Sequence, residues 1–83
     1  MNKEVHIPVS KIRSLLKEKN YLDIVKYIAK TDKDNDIVYS SSWFQCCIVY
    51  VIAEEMKIAV NLEDMISVFE EIYQVKITRL KKR

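Results

Sequence analysis

The densest run of possible oxygen ligands is Asp32-Lys33-Asp34-Asn35-Asp36, which matches the D-x-D-x-D opening of an EF-hand calcium loop. Such a loop needs glycine at its sixth position, for a sharp turn, and a bidentate glutamate at its twelfth. Ile37 and Trp43 stand there instead. The run therefore reads as an acidic connector rather than a calcium site. Two thiols, Cys46 and Cys47, are adjacent in an apolar stretch. Neighbouring Cα atoms lie about 3.8 Å apart, short of the usual disulfide span of about 4.4–6.8 Å. With His6 they offer three ligands without metal-site spacing. They read as small buried apolar residues.

Catalytic groups are equally scarce. Glu54-Glu55 and Glu70-Glu71 are contiguous pairs. Adjacent helical residues do not share a face, so neither pair supplies the opposed carboxylates that general acid–base work requires. No serine or cysteine stands at recognisable triad spacing from His6. Glycine is absent altogether. Phosphate loops, dinucleotide fingerprints and nucleophile elbows need glycine where backbone approaches a ligand or turns at positive φ. The expectation is a non-enzymatic protein with no metal and no organic cofactor.

Two patterns point to binding. Tyr39, Trp43 and Phe44 cluster beside Asp34 and Asp36. Aromatic anchors rimmed by acids suit a basic protein partner, with the charges accelerating encounter. The predicted partner-binding residues are Asp34, Asp36, Tyr39 and Trp43; the competing use of Trp43 and Phe44 is to fill the core. The second pattern is basic. Lys76, Arg79, Lys81, Lys82 and Arg83 crowd the last eight residues, and Lys11, Arg13, Lys17, Lys19, Lys26 and Lys30 lie upstream. A helix-turn-helix would offer Asp23, Lys26, Tyr27 and Lys30 to a groove. Residues 34–75 carry a net charge of −7, which repels phosphate, and the pI of 8.5 is modest for such a role. Nucleic-acid binding through the basic helical hairpin and the tail residues Lys76, Arg79, Lys81, Lys82 and Arg83 is the runner-up.

These residues need elements to hold them. Pro8 opens a first helix, 8–18, with Val9, Ile12, Leu15 and Leu16 at helical spacing. Asn20 is placed to end it in a left-handed conformation and to cap a second helix, 21–31, completing a helical hairpin over 8–31. Thr31–Asp36 reads as a loop. Ser42 and Gln45 form an S-x-x-Q capping box for a third helix, 42–58, whose first half is apolar nearly all round and so central and buried. Its CIVYVI segment, within 46–52, also suits a buried strand; the cap, the length and the continuation AEEMKIA favour helix. Asn61 caps an amphipathic fourth helix over 62–74 or longer, with Val60 and Met65 as a hydrophobic staple. Beyond it, VKIT reads either as more helix or as an edge strand.

The chain of 83 residues is therefore expected to be one all-α, compact four-helix domain, with an N-terminal extension 1–7 and a basic tail 76–83. A chain this short buries only about 60% of its unfolded surface, so a homodimer is expected to cover what the third helix leaves out. The start, MNKEVHIPVSK, holds no apolar targeting stretch, and the longest apolar run, 43–53, is eleven residues even with Gln45 inside it, against about 20 for a membrane span. A cytoplasmic protein with no membrane partner follows. The functional expectation is a small interaction module of the inhibitor, immunity-protein, antitoxin-like or regulatory kind.

Overall fold

The computed structural model describes residues 7–77. His6, Arg79, Lys81, Lys82 and Arg83, with the rest of 1–6 and 78–83, lie outside the described residues. Four helices follow one another: α1 Val9–Glu18, α2 Tyr21–Asp34, α3 Tyr39–Glu55 and α4 Leu62–Tyr73. No strand occurs among the described residues, so the 46–52 segment is helix.

Each start has a visible cause. Pro8 sits just outside α1, and its carbonyl accepts from Ile12 N at 3.0 Å. Asn20 caps α2 through Oδ1, accepting from Leu22 N at 2.8 Å. It is extended, at φ −66°, so the left-handed role expected of it is not taken; Lys19 ends α1 in extended backbone. Asn61 Oδ1 accepts from both Glu63 N (2.9 Å) and Asp64 N (3.3 Å). Val60 packs beside the core and Met65 lies inside it, where a staple would put them. Asn61→Ala is expected to lower stability by about 1 kcal/mol, read from denaturant unfolding; a change below about 0.3 kcal/mol would mean the cap contributes nothing.

Two boundaries differ from expectation. Helix α2 runs on through Thr31, Asp32, Lys33 and Asp34, because Asp32 continues the inward stripe of Ile24, Val25, Ile28 and Ala29 and is itself buried. The third helix begins three residues early, at Tyr39, and ends at Glu55 rather than 58. Its N-cap is Val38, with no side-chain cap. The capping-box reading fails because Ser42 N already donates to Val38 O (3.2 Å) inside the helix, and Ser42 and Gln45 are both buried.

The ends of α2, α3 and α4 share one device. Asp36, Lys57 and Gln74 are left-handed, at φ 60°, 63° and 57°. The next residue in each case, Ile37, Ile58 or Val75, donates its N–H back to Asp32, Ala53 or Glu70 at 2.9–3.3 Å. This is the Schellman closure, in which the residue after the left-handed one also packs inward. Ile37 is half-buried, and Ile58 and Val75 pack against the core. Glycine normally fills the left-handed place; here polar residues do. Because Gln74 closes α4, the fourth helix goes no further, and Val75, Lys76 and Ile77 are neither helix nor strand.

Helix α2 holds the middle. It packs against α3 on one side and α4 on another, while α3 and α4 touch little and α1 lies against α2 and α3. The core comprises Ile12, Leu16, Tyr21, Ile24, Val25, Ile28 and Ala29, met by Cys46, Val49, Ile52, Ala53, Met65 and Phe69. The expected central place of the third helix thus belongs to its predecessor, and α3 keeps one side uncovered. Tyr21 Oη accepts from Asn61 N at 2.6 Å, fixing the α3–α4 connection to the start of α2.

Candidate interaction surface

The acidic and aromatic residues singled out in the sequence meet at the α2–α3 corner. Asp34 ends α2 and Asp36 makes the left-handed turn; both are exposed. Tyr39 opens α3 and is 48% exposed. Trp43 follows one turn later on the same side of α3, but its indole is half-buried and meets Phe69 edge-on, with centroids 5.1 Å apart and planes at 64°. Phe69 in turn stacks on Tyr73 at 4.9 Å. Trp43 is therefore a wall shared by the core and the corner. The Tyr73 hydroxyl donates to Ile37 O (3.0 Å), and Lys33 Nζ donates to Ile72 O (2.9 Å). These two bonds tie the end of α4 to the corner and hold its backbone in place. The lysine also places a cation at a helix C-terminus, where the dipole favours it.

Behind the corner lies a buried polar group: Asp32 and Ser42, with Cys46 and the Tyr73 hydroxyl nearby; Gln45 is buried as well. Burial pushes the Cys46 thiol far up, and charges on Cys47 and Asp32 push it further. Cys47 is also pushed up by burial, though it is only half-buried. Both sulfurs are thus thiols at neutral pH, poor nucleophiles and poor metal ligands. The Tyr73 hydroxyl is raised by burial; Ser42 beside it pulls the other way, and Asp32 and Cys46 add to the rise. Ser42 Oγ itself makes no hydrogen bond of good geometry. The Tyr50 hydroxyl is raised by the charge of Glu54 first, then by desolvation, its bond to Glu54 and the Tyr21 phenol. Among the described residues no group of three His, Cys, Asp or Glu side chains converges to hold a metal ion. No helix among them is long and apolar enough to cross a membrane.

Sequence reasoning expected the third helix to leave apolar surface uncovered but assigned no residues to it. Phe44 is 68% exposed and Val51 is 61% exposed, with Cys47 and Ile48 half-buried between them. The sequence grouped Phe44 with Trp43, yet adjacent helical positions point about 100° apart, so one ring faces in and the other out. The available signal was the absence of any polar stripe on α3: an apolar helix at the edge of a small domain must show one apolar side. A groove of about 650 Å³ between α1 and α2 was also unforeseen. Pro8, Leu15 and Tyr27 line it, with Lys11, Lys19 and Asp23 along it. Those polar groups are all exposed, so nothing converges on a ligand. Of the basic tail residues in the runner-up reading, only Lys76 is described; it is exposed, as are Lys11, Arg13, Lys17, Lys19, Lys26 and Lys30 of the helical hairpin.

The chain matches no protein-family model, no curated protein and no solved structure.

Proposed function

We propose that this chain is a small, non-enzymatic protein-binding module that blocks or scaffolds a basic partner, and that it does so as a homodimer. The reading places it among inhibitors, immunity or antitoxin-like proteins and regulators. The observation that carries it is the apolar surface left on a domain of this size. Phe44 and Val51 are large, apolar and exposed on the outer side of α3, and Val38 and Tyr39 are exposed at the α2–α3 corner. Single exposed apolar residues are ordinary, whereas a grouped set marks an interaction surface. The α2–α3 corner adds the specificity: Asp34 and Asp36 flank Tyr39 on a backbone held by the Tyr73 and Lys33 bonds. A rigid aromatic with adjacent carboxylates fits a lysine- or arginine-bearing surface. Two free thiols suit the reducing cytoplasm.

The test is affinity capture from host lysate, followed by titration of the purified recovered protein. Asp36→Lys and Tyr39→Ala are each expected to weaken that complex about tenfold or more while leaving the melting temperature unchanged. Equal binding by both variants would remove the corner from the interface. Duplex DNA at low salt is the second arm. Binding there that falls steeply with salt would replace this reading with the nucleic-acid one.

A further inference from the structure

We infer that two copies of this chain pair through the outer side of α3, antiparallel, about a two-fold axis between Cys47 and Ile48. The inference deepens the homodimer reading above by assigning its surface and its register. Three observations carry it.

The first is pattern. Ser40, Phe44, Cys47, Ile48, Val51 and Glu55 form one stripe along α3. An isologous contact must be self-complementary. With the axis between residues 47 and 48, Phe44 faces Val51 of the second copy and Cys47 faces Ile48. Serines 40 and 41 then face glutamates 55 and 54. Both pairs of exposed apolar side chains are covered by one another.

The second is charge. No charged residue occurs between Asp36 and Glu54. The first turn of α3 has no acid and no side-chain cap, so its leading backbone N–H groups stand uncapped at the positive end of the helix dipole. The last turn carries Glu54 and Glu55 and no base of its own, which is unfavourable at the negative end; Arg13 of α1 offsets Glu55, and Glu54 has no cation among the described residues. Antiparallel pairing brings Glu54 and Glu55 to the other copy's uncapped amide end, opposite Ser41 and Ser40, with Asp36 set back three residues before α3 begins. Parallel pairing would stack the acids on one another. Arg13 Nη2 already holds Glu55 Oε1 at 2.7 Å, which positions that carboxylate at the end of the stripe.

The third is position. The seam lies on the side of α3 opposite its contact with α2, and Phe44 and Val51 are both more than half exposed. Tyr39 lies on a different flank from this stripe, so dimer and partner surfaces are separable.

The experiment is sedimentation equilibrium on the full chain over a concentration series. Wild type is expected at twice 9.9 kDa. Phe44→Glu and Val51→Lys are each expected to weaken self-association about 100-fold with an unchanged helical signal, because each sets one charge against an apolar residue. The double variant is expected to regain at least about tenfold of that loss, since the introduced carboxylate of one copy would then face the introduced ammonium of the other across the axis. Copper-catalysed oxidation is expected to link copies through position 47: Cys47→Ser abolishes the cross-link and Cys46→Ser preserves it. The two Cys47 Cα atoms would be offset by only about 1.5 Å along the helix axis. A monomeric wild type overturns the inference, as does a dimer indifferent to both single changes. A double variant no better than the single ones, with no cross-link, overturns the register. Partner binding is read separately through Asp36 and Tyr39, so a monomer that still binds its partner distinguishes the two failures.

Discussion

Phe69→Ala is expected to lower the unfolding free energy by about 3–5 kcal/mol, the usual cost of emptying a buried phenyl site. Phe69 is fully buried on α4 and touches the aromatic rings of both Trp43 and Tyr73. Its loss removes apolar burial, two ring contacts and the wall behind Trp43 together. A domain of this length has a total stability of roughly 4–12 kcal/mol. At about 4–8 °C per kcal/mol, the melting temperature should fall by at least about 12 °C. Far-UV circular dichroism on heating reads the change. Tyr27→Ala is the control, since Tyr27 points outward from α2 and is exposed; surface changes of that kind stay within about 0.5 kcal/mol. A Phe69→Ala melt no lower than the control would show that the aromatic cluster does not hold α4 to α3.

Trp43→Ala is the second large effect and decides how the indole is used. Its ring meets Phe69 edge-on and is only half-buried. The expected loss is about 2 kcal/mol, below the full cost for a buried aromatic. Trp43→Phe should recover most of it by keeping the edge contact. Trp43 is the single tryptophan, so fluorescence of the wild type reports on this contact directly, and Phe69→Leu should shift its emission. An unchanged melt for Trp43→Ala would place the indole wholly at the surface. With the expected loss, any effect of the same variant on partner binding must be judged against Trp43→Phe and Tyr39→Ala.

The four helices were legible because their punctuation is local. Asn20 and Asn61 cap as asparagine does, and the spacing of Ile12 with Leu16, or Met65 with Phe69, is helical by arithmetic. What escaped was whatever depended on a neighbour. Thr31 to Asp34 look like loop in isolation; they are helix because Asp32 has a buried place waiting beside Cys46. Ser42 and Gln45 have the types and spacing of a cap, yet serines 40 and 41 satisfy no such role either, and the turn is set by Asp36 and Ile37 instead. Asp34, Asp36 and Tyr39 are exposed at the corner. The split between Trp43 and Phe44 was not legible, since a helix apolar all round has no stripe from which to read its rotation.

The glycine-free corners reach beyond the native state. Holding Asp36, Lys57 and Gln74 left-handed costs about 1–2 kcal/mol apiece relative to glycine. Each absent glycine also narrows the denatured ensemble, returning about 0.4–1 kcal/mol because fewer conformers are surrendered on folding. Much of the native strain is thereby offset before folding begins, and a chain with no glycine can close three helices at modest net expense.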